Sequence, residues 1–455
     1  MGVIEQLSEL IYQVSYDDLP AAVINSAKTR ILDFLGVALT GFKHEIHKPF
    51  LRVSESYTPK SESTLIGEGI KVNCQLAALI NSSMCPADLT DGSRFAGLHP
   101  AAIVIPAALA VLDKFGNKTS KTGKDLLLAV ALGYEIMIRV GSSMNPSAVK
   151  RGFHLTPVIG PMGSAAAASK ILSLNLSEIA NSLSSACLLG SGLLSAFKGS
   201  ESFVGAQISR ACEAGVYATL LAREGIKGYP DILEKSFLPA FSDEYDPEII
   251  TKDLGKEFMI PKTYIRKHAG CRHIHAPIDA TLSIVQQHNI DWRDIDQILV
   301  KTYSVAIQLE NANPQSGDDA RFNMSFGIAT ALIYGNALYD QFTTRRLRDE
   351  SVQSVMKKVK LEASEALDKD YPAKRGTVVS VKVKGGETFS LSLDFARGEP
   401  EVPLSNSEIE EKFEYLVKGI LPQEKVLKIK EFVNHMERAT DLSGLFKSLA
   451  VRPAD

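Results

Sequence analysis

The apolar positions of this chain recur at three- and four-residue spacing from the N-terminus to about Met259, as in Leu7, Leu10, Ile11 and Val14 and again in Ile24, Ala27, Ile31 and Phe34. That period predicts amphipathic helices, and short Gly/Pro/Asn punctuation separates one from the next. Alanine-rich pieces (Ala101 to Leu112, Ala165 to Ala168, Ala211 to Ala222) let helices approach closely, as the centre of a large bundle requires. Between roughly Pro261 and Ala396 the period shortens. Ile298-Leu-Val300-Lys-Thr302-Tyr303 alternates at period two, and Val379 to Leu393 reads as a hairpin about Gly385-Gly386, a pair able to take the positive φ values of a type I′ turn. From Ser407 to about Phe446 the chain is charged and helical again. The pattern predicts a mainly α protein: a large many-helix domain and a smaller α+β domain with antiparallel strands.

Length supports two domains, because 455 residues exceed the roughly 250–300 at which one hydrophobic core stops growing. With 50 basic and 53 acidic residues there is no global field to attract nucleic acid or an anionic bilayer, so neither is an expected partner. The N-terminus, Met1-Gly-Val-Ile-Glu-Gln-Leu-Ser-Glu-Leu, has acids where a signal peptide has bases, and a cytoplasmic location is expected. Apolar runs such as Ala101 to Leu112 and Leu126 to Leu132 fall short of the ~18 residues of a membrane span. They read as buried helices. Five widely spaced cysteines (Cys74, Cys85, Cys187, Cys212, Cys271) suit a reducing compartment better than a disulfide scaffold.

Candidate chemistry concentrates in three places. Cys85 to Pro100 packs Asp88, Asp91, Arg94 and His99 immediately before an apolar helix, and Arg151-Gly-Phe-His154 stands in the same position before a second one. Charged groups set against apolar surface are costly unless paired or used. Either aspartate could cap a helix, and either histidine could be a core residue satisfied by a carbonyl. The third place, Tyr264 to His275, holds Arg266, Lys267, His268, Arg272, His273 and His275. Gly-x-Gly-x-x-Gly after a strand, a phosphate loop and a Gly-x-Ser-x-Gly elbow are all missing, so nucleotide cofactors and serine hydrolysis are not expected.

At these residues the chain resembles the MmgE/PrpD family, which includes 2-methylcitrate dehydratases, cis-aconitate decarboxylases and an iminodisuccinate epimerase. The resemblance also runs through Ile31-Leu-Asp33-Phe-Leu-Gly36, Tyr371-Pro-Ala-Lys-Arg375-Gly376, Arg397-Gly-Glu-Pro400 and Pro403-Leu-Ser405 to Lys412-Phe413. It implies that the C-terminal helices return to the first domain, giving an all-helical domain over 1–262 and 397–455 and a lid-like α+β domain over 263–396. It implies a site between them that needs no cofactor and no metal, and a homodimer. Asp88, His99 and His154 fall on catalytic positions; Arg266, Lys267, Cys271, Arg272 and His275 fall on or beside substrate-binding ones, with Arg94 and Lys198 as further candidates. Cys271, His273 and His275 would share one face of a strand, an arrangement that admits a metal, but no second Cys/His pair lies nearby.

A di- or tricarboxylate substrate asks for fixed cations and for one group able to move a carbon-bound proton; arginine suits the first task and histidine the second. The expected activity is that of a cofactor-independent lyase, 2-methylcitrate-dehydratase-like, with an epimerase or racemase, a decarboxylase, or a non-catalytic carboxylate-binding relative as alternatives. The chain departs from the family pattern at three positions. Val204 stands where a catalytic lysine is usual, in Ser202-Phe-Val204-Gly-Ala-Gln207, with Lys198 the nearest stand-in. Gly92 replaces the threonine after the paired aspartates, and Arg266 replaces a lysine.

Overall fold

The computed structural model describes residues 1–57, 60–199 and 201–451. The chain divides into two compact units, Met1–Tyr264 with Ser405–Asp455, and Ile265–Leu404. The junctions lie two and eight residues beyond the expected 262/263 and 396/397, and hydrogen bonding explains both displacements. Tyr264 exchanges two backbone bonds with Gly92, at 2.9 and 3.1 Å, and so belongs with the first unit. The turn at Arg397 to Val402 stays with the second, held by the 2.9 Å Arg272–Glu399 ion pair and by Ile265 N–H to the Gly398 carbonyl at 3.0 Å.

The first unit is helical around a nearly all-buried helix, Leu155–Ile171, packed against Gly123–Met144 and Glu201–Arg223. Small residues set these approaches: a Cβ on Gly163 would stand only 3.1 Å from the Gly133 carbonyl oxygen. Helix Gly123–Met144 corrects the sequence reading. The helix outruns its apolar run, and by length and composition it could cross a membrane. Here 94% of that apolar window is buried inside the protein, and the helix carries a buried Arg139–Glu135 ion pair. The C-terminal helices Asn406–Val417, Gln423–Asn434 and Ser443–Ser448 belong to this unit. Their anchor is a buried ion pair, Lys412 Nζ to Asp33 Oδ1 at 2.6 Å, whose partners are 379 positions apart. The helical pattern gives no hint of a short antiparallel ladder in this unit, β1 (Ser63–Thr64) with β2 (Lys71–Val72).

The second unit holds a four-stranded sheet of β3 (Ile295–Thr302), β4 (Val359–Ala363), β5 (Thr377–Val383) and β6 (Thr388–Leu393) in the order β4-β3-β5-β6. Its strands are not all antiparallel, because β3 and β4 run parallel. The chain between them passes through helices Met324–Tyr334 and Glu350–Met356, a crossover long enough to return the strand in the same direction. Helix His275–Gln287 packs on β5 and β6 over the buried Val379 and Val381. The β5–β6 hairpin forms as expected but its turn is different. Only Gly386 has positive φ, at 89°. Gly386 N–H meets the Val383 carbonyl and Val383 N–H meets that of Glu387, a three-residue loop closed by one left-handed glycine.

Candidate active site

In the first unit the sequence around Asp91 forms a small polar knot. The first amide of helix Ala101–Thr119 has no carbonyl within the helix to meet, and Asp91 Oδ1 accepts that Ala101 N–H at 3.0 Å. Its other oxygen accepts the Tyr134 hydroxyl at 2.7 Å, and its backbone carbonyl faces His99 Nδ1 at 2.5 Å. Burial pushes the Asp91 carboxyl up to about 6 against the lowering effect of the Tyr134 and Ala101 bonds. Of the two aspartates, Asp91 is thus the helix-capping one. Asp88 is half-buried in the turn closed by Leu89 and Thr90 N–H on the Pro86 carbonyl.

A carbonyl oxygen carries no proton, so His99 Nδ1 must donate to it, and Nε2 is the lone-pair nitrogen of the neutral ring. His154 is in the opposite state. It is the residue before helix Leu155–Ile171, and its Nδ1 lies 2.8 Å from Gln207 Nε2. The orientation of the Gln207 amide follows from its neighbour: Oε1 accepts the Leu193 N–H at 3.0 Å, so the nitrogen is the end that faces the imidazole. His154 Nδ1 therefore accepts, and Nε2 bears the proton. Burial depresses the His154 ring pKa to about 3. The two segments meet at Thr156, two residues after His154, whose hydroxyl oxygen accepts the His99 backbone N–H at 3.1 Å.

The departures from the family pattern acquire reasons. Gly92 lies against the Tyr264 ring, and a Cβ there would collide with it and sit 3.0 Å from His99 Nδ1. A threonine has no room. Val204 is buried in helix Glu201–Arg223, and one turn further on the same helix offers Gln207 to His154. Lys198 is exposed at the end of the turn Leu194–Lys198, beside Phe197, whose ring packs 5.0 Å from that of His154. Arg94 is half-buried with its guanidinium 4.9 Å over the Phe95 ring.

In the second unit the cationic segment is folded, not a solvated loop. Arg272–Ile274 is a 3-10 turn leading directly into helix His275–Gln287, so Cys271, His273 and His275 do not share the strand face that their spacing would have allowed. Among the described residues no group of three or more His, Cys, Asp or Glu is placed to hold a metal ion. Arg266 is buried, with Nη1 donating to the Gly270 carbonyl at 2.6 Å. Arg272 spends its fork inside the unit, on Glu399 at 2.9 Å and on His275 Nδ1 at 2.7 Å. Lys267 is more exposed and stands 3.6 Å from Asp279, which also meets His268 at 3.0 Å. His273 is bonded to the Tyr303 hydroxyl, and its ring pKa falls to about 3 through burial first and then the charges of Arg375, Arg266 and Arg272. Burial also raises the Cys271 thiol. Glu310 at the start of helix Met324–Tyr334 is pushed up to about 7 by burial, although it accepts the Met324 N–H.

Sequence reasoning passed over Gln207, Tyr134, Tyr303 and Glu310. None sits in a motif, and each is brought to its partner from 14 to 53 positions away in the chain. A polar side chain at period with a buried helical face was the only available signal, and Gln207, three residues after Val204, gave it.

The chain is similar to known proteins over nearly its whole length. Residues 5–249 match the MmgE/PrpD N-terminal domain and residues 268–438 the MmgE/PrpD C-terminal domain. A cis-aconitate decarboxylase-like protein, oryM of Aspergillus oryzae, is 29% identical, covering 98% of this chain and 96% of its own length. Cis-aconitate decarboxylases of Aspergillus terreus and Mus musculus are 27% and 26% identical, over 98% of this chain and 96% and 93% of theirs. With the two halves of one family matched in order over most of its length, the chain belongs to the MmgE/PrpD family.

Proposed function

We propose that the protein is a cofactor-independent carbon–carbon lyase that decarboxylates a small unsaturated di- or tricarboxylate of the cis-aconitate kind. The relatives support the substrate class, since those named above carry cis-aconitate decarboxylase names. The observation that carries the chemistry is the pair of imidazoles held in opposite tautomers. Loss of carbon dioxide from a carboxymethyl group beside a double bond sends the bonding pair into a new double bond. The old π pair then takes one proton at its far carbon. That proton needs a donor, and the developing charge on the remaining carboxylates needs a hydrogen bond.

The two histidines divide these tasks. His154 stays neutral at ordinary pH because burial holds its ring near 3, and Gln207 occupies its Nδ1. It is a fixed N–H donor to negative charge, neither acid nor base. His99 presents the lone-pair nitrogen, and imidazoles of that kind take up and release protons near neutrality. We assign the transferable proton to His99 in its protonated form: Nε2 takes a proton from solvent before the step and hands it to the far carbon, which leaves the neutral ring. Arg266, whose planar fork matches a carboxylate, is assigned to a substrate carboxylate.

The same pair favours a second reading, a 2-methylcitrate-dehydratase-like elimination in which His99 removes a proton, the imidazolium so formed supplies it to the departing hydroxyl, and the His154 N–H hydrogen-bonds the developing negative charge. Proton NMR of the chelator-treated protein in D2O with cis-aconitate, 2-methylcitrate, citrate and iminodisuccinate separates them. Released carbon dioxide with one deuteron in the product is the expected result. A new olefinic signal from 2-methylcitrate with every carboxylate retained would replace the first reading by the second, and silence with all four acids would remove both.

A further inference from the structure

Gln207 holds a position that its neighbours over-determine. The loop at Gly192 to Leu194 pairs with the backbone of Gly152 to His154: His154 N–H reaches the Gly192 carbonyl at 3.2 Å, Leu194 N–H reaches that of Gly152 at 2.9 Å, and Phe153 and Leu193 form an antiparallel bridge. The Gln207 amide grips the same loop at both ends, accepting the Leu193 N–H at 3.0 Å and donating to the Leu193 carbonyl at 3.4 Å. One amide proton is left. It points at His154 Nδ1, 2.8 Å away. Rotating the amide by 180° would set its nitrogen against the Leu193 N–H, so the loop backbone dictates which face of the carboxamide His154 meets.

We infer that Gln207 is a positioning residue that locks His154 in the Nε2–H tautomer, with the Leu193 backbone as the key that sets the amide. A donor against Nδ1 also excludes the imidazolium, which would place two N–H groups face to face. The depressed ring pKa has the same sign. A lysine ammonium at Val204, one turn away, would bring a full charge near this ring; the neutral amide leaves the donor strength of His154 independent of pH. The inference rests on the proposed role of His154, but its first test does not.

Long-range 1H–15N spectra of the whole protein labelled at its nine histidines report which ring nitrogen carries the proton, with no substrate present. The expected result at neutral pH is a proton on Nε2 of His154, assigned by loss of its signals in His154→Gln. Gln207→Glu replaces the donor by an acceptor; the proton should move to Nδ1 and the ring should begin to titrate toward neutrality. Turnover should then fall about 10²- to 10⁴-fold with KM little changed, and its pH profile should gain a limb near the usual histidine range. If Gln207→Glu does not fold, Gln207→Met removes the donor at similar size and should give a mixture of tautomers. A His154 proton on Nδ1 in the unaltered protein overturns the inference, as does a Gln207 variant whose tautomer and pH profile match the parent. If the acids are never turned over, the proposed function fails while the tautomer result still stands or falls by itself.

Discussion

Two imidazoles, one in each unit, are neutral for different reasons. His154 is neutral because it is buried, and no charge contributes to its depressed pKa. His273 is equally depressed, but three guanidinium groups, of Arg375, Arg266 and Arg272, add to burial. Burial suppresses a charge without orienting anything; a cluster of arginines suppresses a charge while creating a positive field into which a carboxylate fits. In the first unit His154 is thus an uncharged hydrogen-bonding group. In the second, His273 lies within the positive field of a folded segment and is bonded to Tyr303.

The largest effect should separate these roles. His99→Ala and His154→Ala are expected to lower kcat by about 10²- to 10⁴-fold, and Arg266→Gln to act chiefly on KM. Equal KM effects from all three would erase the division. Next comes acid stability, followed by urea unfolding at a series of pH values. Both histidines have folded pKa values near 3 against 6.5 in the free residue, so their contribution is fully present above about 6.5 and is lost as pH falls toward 3. The loss is on the order of a few kcal/mol for each. Asp91 has the opposite sign: raised from 3.8 to about 6, it favours the fold at low pH and that contribution disappears as pH rises through this interval. Asp91→Asn retains an acceptor for Ala101 N–H and a partner for Tyr134. It should flatten stability between about 4 and 6 by roughly 1–3 kcal/mol.

A finer test replaces arginine beside one imidazole only. Arg375→Gln should raise the His273 ring pKa and leave His154 where it is, read by histidine NMR titration; movement of both would show that the two are not independently set. The smallest expected effect compares two glycines with φ of 92° and 89°, Gly152 and Gly386, neither of which has an atom within 4 Å of a built Cβ. Alanine at either should cost about 1–2 kcal/mol of stability from backbone strain alone. Only Gly152→Ala should also reduce turnover, because His154 follows two residues later. Comparable activity in both variants would argue against a rigidly held His154.

The sequence conveyed the helical bundle, the hairpin and the position of the histidines, since period and punctuation are local properties. The parallel β3–β4 pairing was not legible in it, because a crossover and a hairpin give the same period-two strands. The spacing of Cys271, His273 and His275 left a shared strand face open, and the 3-10 turn and helix that start there close it. Gly92 read as a departure from a pattern, and the reason, the Tyr264 ring against its Cα, lies 172 positions away in the chain.

What the sequence alone determined is the family: the order of Asp88, His99, His154 and the Arg266 to His275 block, spread along most of the chain, belongs to that family. What only the tertiary structure decided is the state of each imidazole. A tautomer is set by whether a carbonyl or an amide faces Nδ1, and that choice arises from contacts such as Gln207 to His154, which no local pattern in the chain encodes.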